Sequence, residues 1–193
     1  MIAVKTVKAD TLVDVTPDGL GLKAFQWMRE IKIERAHQIN LNIGAYSPMG
    51  FNDKHPEAWD LIERAAQEAD FLAALPEADD TNEYPGHIGF YEHCRRFLEL
   101  AKVLNIPLHV HTDQRNEPSE SGTEELVRAV REFGAPKSSD GSVMVWAVHA
   151  ISPSTYDESR FNKLVEGMVE CNIGVITCPS AAIGMRMYRP IMT

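Results

Sequence analysis

The sequence of 193 residues contains few cysteines and no long apolar segment. Its three cysteines are Cys94, Cys171 and Cys178, and no pair of them has the C-x-x-C spacing. A disulfide framework or a structural zinc knuckle is therefore not expected, and a reducing compartment, the cytoplasm, is predicted. No run approaches the roughly 18 apolar residues of a membrane span, and the N-terminus lacks the apolar segment of a signal peptide. We therefore expect no membrane partner.

Clusters of positive charge are also absent. The formal net charge is −9 and no basic run of five residues occurs. Nucleic-acid backbones are bound by clustered lysine and arginine, so a nucleic-acid partner is not expected. Hydrophobic residues make up 44% of the chain and charged residues 24%, which is typical of a globular protein with a sizeable core.

What the sequence does contain is a regular alternation of short apolar runs and amphipathic stretches. The strand-like runs cover residues 11–15, 39–46, 71–75, 107–111, 142–150 and 173–178. Their centres recur roughly every 30 to 37 residues, the size of one β-crossover-β unit. Helices separate the strands, Pro179 ends the last strand, and no helix is expected after it. The pattern predicts a parallel sheet with helices outside it.

Two architectures fit this alternation, a doubly wound open sheet and a β/α barrel. A phosphate-binding G-x-G-x-x-G after the first strand would favour the open sheet. The only approach to it, Gly19-Leu20-Gly21, lacks the third glycine. No G-x-S-x-G motif of an open-sheet α/β hydrolase occurs either.

The segments between strands carry further expectations. The acidic loop at residues 76–86 contains the pair Asp79-Asp80, which is expected to be solvated. Ser121 or Thr123 is positioned to cap the helix that ends near Phe133. Four histidines are expected in solvated loops, at helix ends or on the surface: His37, His55, His87 and His93.

Polar residues collect where the strands end, which is the edge that carries the sites of parallel α/β folds. They are Asp14, His111, Asp113, Gln114, His149 and Cys178. His109 and His111 are two residues apart on one strand and therefore point to the same face of the sheet. Neutral imidazole is a common ligand of zinc and similar metals, although a hydrogen-bonded pair of core histidines remains an alternative.

Three segments resemble the amidohydrolase superfamily: LHVHTDQ (residues 108–114), WAVHAIS (146–152) and IGVITCPSAAIGMRMYRP (173–190). The branch that they resemble contains cytosine deaminase and N-isopropylammelide amidohydrolase, which act on cyclic amides and triazine-type rings. The resemblance covers almost the whole chain. It implies a TIM-type barrel, cytoplasmic hydrolysis of C–N bonds and one divalent metal, zinc or iron, at each site.

The resemblance also implies roles for individual residues. His111 is the metal ligand, and His149 positions the attacking water, polarises the substrate or binds a second metal. Asp113 and Gln114 complete the catalytic set. Gln114 is also expected to bind the substrate ring, together with Cys178 and with Arg186 from the loop at residues 185–189.

Three departures from the family pattern qualify these roles. Gln114 stands where a deaminase has a glutamate, and an amide cannot transfer a proton as a general acid or base. The H-x-H of the family's first strand and the metal-binding aspartate of its eighth strand have no counterpart in the sequence. We therefore expect residues 1–193 to form one incomplete domain, a partial TIM-type (β/α) barrel with about six of eight units.

The function predicted from sequence is metal-dependent hydrolysis of C–N bonds, other than peptide bonds, in cyclic amides or amino-substituted nitrogen heterocycles. The alternative is a truncated or degenerate barrel that binds a ligand or partner without turnover. Exposed strand edges in an incomplete barrel would also favour self-association, so a homo-oligomer is a further expectation.

Overall fold

The computed structural model describes residues 6–184 and the side chains of residues 6–181. Strands and helices alternate along the chain. The strands are β1 (Lys8–Asp14), β2 (Asn40–Tyr46), β3 (Phe71–Ala74), β4 (Leu108–Thr112), β5 (Val145–His149) and β6 (Ile173–Ile176). The helices are α1 (Lys23–Glu34), α2 (Glu57–Ala66), α3 (Phe90–Leu104), α4 (Gly122–Phe133), α5 (Glu158–Glu170) and α6 (Pro179–Gly184). Two 3-10 turns, Pro76–Asp79 and Ser152–Thr155, follow β3 and β5.

The six strands form one parallel sheet in which each strand pairs with the next one along the chain. A doubly wound sheet must reverse its strand order at a switch point, whereas a barrel keeps the sequential order. The observed order has no reversal among the described strands. The prediction of a partial TIM-type arrangement is therefore confirmed, and the six strands do not close on themselves.

One face of the sheet makes the hydrophobic core with the helices. A single row of paired residues crosses all six strands and is buried throughout: Val13, Ala45, Leu72, Leu108, Val145 and Ile173. Helices α2, α3 and α4 cover this row with branched apolar side chains such as Ile62, Leu98 and Leu126, which are fully buried. Because successive residues alternate across a strand, the neighbouring rows point to the opposite face.

The opposite face corresponds to a barrel interior. His109 pairs with Trp146 on this face, and Trp146 pairs with Gly174. A Cβ atom on Gly174 would lie 2.5 Å from the indole ring of Trp146, so only glycine leaves room for that ring. Gly44 makes room for Phe71 in the same way, with an added Cβ 2.4 Å from the ring.

Some expectations about individual elements are wrong. A short helix, α6, begins at Pro179 where none was expected. The side chain of Ser121 makes no capping bond at the start of α4, and that function belongs to Asp113. His37 and His55 are exposed as expected. The three cysteines are free, and none of the helices within residues 6–184 has the length and apolar character needed to cross a membrane.

Candidate functional site

The carboxyl ends of the strands meet at one edge of the sheet, and backbone strain is concentrated there. Asp113, directly after β4, has φ 55°, while His149 and Ala150 have φ 73° and 46°. Non-glycine residues rarely adopt this left-handed region, and they persist there only where surrounding bonds hold them. The backbone amides of Ala150 and Ile151 donate to the carbonyls of Thr112 and Asp113, which ties the end of β5 to the end of β4.

The strain at His149 changes the direction of its side chain. His149 pairs with Thr112, whose hydroxyl faces α4 and hydrogen-bonds Thr123 on the helix side of the sheet. Regular alternation would send the imidazole to that side as well. Instead His149 Nε2 lies 3.2 Å from His111 Nδ1, on the interior face. The left-handed φ therefore brings together the two histidines that the sequence placed at the ends of neighbouring strands.

Burial keeps both imidazoles neutral. It lowers the pKa of His111 to about 4, and the nearby His149 and His109 add to the shift. Burial also lowers the pKa of His149. His149 Nδ1 is buried and has no hydrogen-bond partner among the described residues. At neutral pH the pair therefore offers uncharged nitrogen lone pairs, the form in which histidine binds metals and accepts protons.

Tyr46 completes the interior side of this edge. It ends β2, and its ring centroid lies 5.7 Å from that of His111. Burial, together with the negative charges of Asp14 and Glu77, raises the pKa of Tyr46 to about 12. The phenol therefore stays protonated at neutral pH and can donate a hydrogen bond towards the histidine pair.

Asp113 is buried, and its carboxylate is engaged by the start of α4. Oδ1 accepts from the backbone amide of Gly122 at 2.7 Å. Oδ2 accepts from the amide of Thr123 at 2.9 Å and from its hydroxyl at 2.5 Å. An anion at a helix N-terminus is stabilised by the unpaired amides and by the helix dipole. These bonds anchor α4 to the end of β4, directly after the metal-ligand candidate His111.

Gln114 projects to the carboxyl group of Glu77, for which the sequence carries no motif. Its Nε2 donates to Glu77 Oε2 at 2.8 Å. Glu77 lies in the 3-10 turn that follows β3, and the backbone amide of Asp113 also donates to it. Burial, and after it the negative charge of Glu120, raises the pKa of Glu77 to about 7. The site edge therefore contains a carboxyl group that changes protonation state near neutral pH.

The acidic loop is ordered by a buried network, which corrects the expectation of a solvated Asp79 and surface histidines. Asp79 and His93 are fully buried and His87 is partly buried. Asp79 Oδ1 accepts from the amide of Phe51 at 2.7 Å and from His87 Nδ1 at 2.9 Å. Asp79 Oδ2 lies 2.6 Å from His93 Nδ1. Burial lowers the pKa of His93, so this ring is a neutral donor. The network fixes the turn that carries Glu77.

The remaining sequence candidates lie outside the histidine pair. His109 is buried deeper on the interior face, with its ring centroid 4.4 Å from that of Phe71. Cys178 follows β6 at the same edge of the sheet, is partly buried, and donates a weak hydrogen bond to the carbonyl of Ile176. Arg186 lies outside the described residues.

The histidine pair is compatible with a share in a metal site. Two nitrogen ligands of a tetrahedral zinc ion with bonds of about 2.05 Å lie about 3.3 Å apart, close to the observed 3.2 Å. The desolvated, neutral rings agree with ligation. Within residues 6–184, no group of three or more histidine, cysteine, aspartate or glutamate side chains is arranged to hold a metal. The described chain therefore supplies two candidate ligands.

Comparison with known proteins agrees with this reading of the fold. No protein-family model matches the sequence. The structure is similar to 5-methylcytosine deaminase from Klebsiella pneumoniae, solved with phosphonocytosine and with 5-fluorocytosine, at 26% identity and TM-scores of 0.73 and 0.74. The match covers 90% of this chain and 39% of that one.

Two further relatives are similar. N-isopropylammelide isopropylaminohydrolase from Burkholderia multivorans shares the fold at 20% identity and a TM-score of 0.72, over 91% of this chain and 42% of that one. An uncharacterized protein from Haemophilus influenzae is 28% identical over 194 residues, which span all of this chain and 65% of its own length. The sequence resemblance to the cytosine deaminase and N-isopropylammelide branch of the amidohydrolases is thereby confirmed. The chain corresponds to only part of each of these proteins.

Proposed function

We propose that this chain forms the central part of a metal-dependent hydrolase. The enzyme would cleave C–N bonds, other than peptide bonds, in cyclic amides or amino-substituted nitrogen heterocycles. The observation that carries the proposal is the pairing of His111 and His149 at the carboxyl edge of a barrel-ordered sheet. The names of two structural neighbours, a deaminase and an aminohydrolase of nitrogen heterocycles, favour this substrate class.

His111 would hold the metal, with His149 as a second ligand or as the group that orients water and the substrate carbonyl. When bound, a divalent metal such as zinc or iron would supply Lewis-acid chemistry that brings the pKa of water towards neutrality. The neutral imidazole of His149 can accept a hydrogen bond from water and so orient it, because burial keeps the ring unprotonated at neutral pH. The protonated phenol of Tyr46 can donate to a substrate carbonyl beside His111.

The hydrogen bonds of Asp113 and Gln114 support more specific roles for these two residues. The three hydrogen bonds of the Asp113 carboxylate support a positioning role, because they leave little capacity for a reacting group. Gln114 keeps its amide oxygen for a substrate N–H while its nitrogen donates to Glu77. Cys178, and Arg186 from the following loop, would line the substrate pocket. We further propose that residues 1–193 belong to a single barrel domain in a cytoplasmic enzyme.

Turnover of a panel of four nitrogen heterocycles tests this function. The full-length protein, loaded with Zn²⁺ or Fe²⁺, is expected to release ammonia or amine from at least one of cytosine, 5-methylcytosine and N-isopropylammelide, or to open the ring of hydantoin. His149→Asn should lower kcat/KM by about 10², because it displaces the group that orients water and the substrate. His55→Asn is the control, because His55 is exposed.

The alternative of a non-catalytic binding protein makes the opposite prediction. Heterocycles of the panel would then bind, as measured by calorimetry, without any product in the presence of either metal. Equal turnover by the wild type and by His149→Asn would contradict the role assigned to the histidine pair.

A further inference from the structure

Gln114 lacks the carboxyl group that a deaminase has at this position. Glu77 lies close enough to Gln114 to supply a carboxyl group in its place. The 3-10 turn Pro76–Asp79 brings it directly past the end of β3, beside β4. Its carboxyl accepts from Gln114 Nε2 at 2.8 Å and from the backbone amide of Asp113. The carboxyl group is therefore held within one hydrogen bond of the side chain that the resemblance aligns with a proton-transferring glutamate.

The charges around Glu77 connect it with the candidate site. Tyr46, whose ring lies beside His111, has its pKa raised in part by the charge of Glu77. In the segment after β4, the carboxylates of Asp113 and Glu120 face Glu77, and the charge of Glu77 contributes to the raised pKa of Arg115. From its own turn, the neighbouring carboxylate of Asp79 is bonded to the buried histidines.

We propose that Glu77 is the proton carrier of this site and that Gln114 orients it. The inference rests on the function proposed above. The two side chains would together restore what a single glutamate supplies in a deaminase, with the acid on the end of β3 and the amide on the end of β4. Glu77 would then compensate for the glutamine that stands at position 114 in place of the glutamate of a deaminase.

The proposed sequence of proton transfers balances for an amino-substituted heterocycle. The Glu77 carboxyl donates its proton to the ring nitrogen while the oxygen of water bonds to the amino-bearing carbon. The resulting carboxylate takes a proton from that oxygen. It then passes this proton to the amino group, whose C–N bond breaks to release ammonia, and it regains a proton from the hydroxyl as the carbonyl forms. One water is consumed, and Glu77 ends protonated, as it began.

The protonation state of Glu77 supports this use. Burial, followed by the negative charge of Glu120, raises the pKa of Glu77 to about 7, and the bond from Gln114 opposes this shift. A carrier with a pKa near the working pH populates both of its forms, which favours transfer in either direction. Since the first step needs the protonated form, kcat/KM should fall as the pH rises through about 7.

Exchange of the two side chains tests the proposal on the substrate that the panel identifies. Glu77→Gln should lower kcat/KM by about 10² to 10⁴ and abolish the decline above neutral pH. The double variant Glu77→Gln/Gln114→Glu should recover at least about tenfold of that loss, because it returns a carboxyl group to the same hydrogen-bonded pair. Glu83→Gln is the control, since Glu83 is an exposed residue of the same loop that pairs only with Arg115 among the bonds described.

The outcomes separate this inference from the proposed function. Absence of turnover by the wild type would overturn both. An active wild type together with a Glu77→Gln variant of unchanged kcat/KM and pH profile would overturn the role of Glu77 alone. Infrared spectroscopy of wild-type protein labelled with ¹³C-glutamate gives an answer even if the variants fail to fold. A protonated glutamic acid at pH 6 is expected, and its absence would also overturn the inference.

Discussion

Replacement of Asp79 by alanine is expected to lower the free energy of unfolding by about 4 kcal/mol. The substitution removes the shared acceptor of the Phe51 amide, His87 and His93. Each buried donor left without a partner costs about 1 to 3 kcal/mol, and the imidazole of His93 would lose its only described hydrogen bond, since its Nε2 is already unpartnered.

Chemical denaturation of the purified variants measures this effect. Asp80→Ala is a matched control from the same turn, because Asp80 is bonded only to Asn82 among the side-chain bonds described. It should cost less than about 1 kcal/mol. Equal destabilisation by the two substitutions would contradict the buried network, since Asp79 would then be the solvated loop residue that the sequence alone predicts.

Replacement of Asp113 by alanine should lower the free energy of unfolding by about 3 kcal/mol. The carboxylate accepts three hydrogen bonds from Gly122 and Thr123, in a buried position at the start of α4. An ordinary helix cap is worth about 1 kcal/mol, and hydrogen bonds to a buried charge are worth more than neutral ones. Asp113→Asn retains one acceptor oxygen and should lose about half as much.

Asp157→Ala provides the comparison within the same protein. Asp157 caps α5 by accepting from the amide of Arg160 at 2.9 Å, and this cap is exposed and local. Its removal should cost about 1 kcal/mol in the same denaturation experiment. If Asp113→Ala is as stable as the wild type and loses turnover, then Asp113 is a reacting group, as the resemblance implied, and the positioning role is wrong.

The sequence was a good guide to the order of the strands and to the residues at their ends. Apolar runs with helical spacing between them define crossover units, and such units leave few topologies open. His111 and His149 could be placed at one edge because each directly follows a buried run. The 3.2 Å contact between them could not be predicted, because it depends on the left-handed φ of His149, and no glycine marks that position.

Glu77 was missed, and Asp79 was wrongly expected to be solvated, for a different reason. The segment at residues 76–86 reads as a polar loop, because its acidic residues have no periodicity. The burial of Asp79 arises from partners that are far away in the sequence, namely the Phe51 amide and His93 of α3. The one available signal was an acidic residue that follows a buried strand and Pro76, at the edge of the sheet that His111 marks on β4.

The central claim is that His111 holds a divalent metal with His149 beside it, and titration of the full-length protein with Zn²⁺ tests it most directly. The wild type should bind one ion per site. His111→Ala should weaken binding by at least about a hundredfold, since a catalytic zinc has only about three protein ligands. His37→Ala, in which an exposed histidine is removed, should bind like the wild type. Equal affinity in the wild type and in His111→Ala would contradict the account.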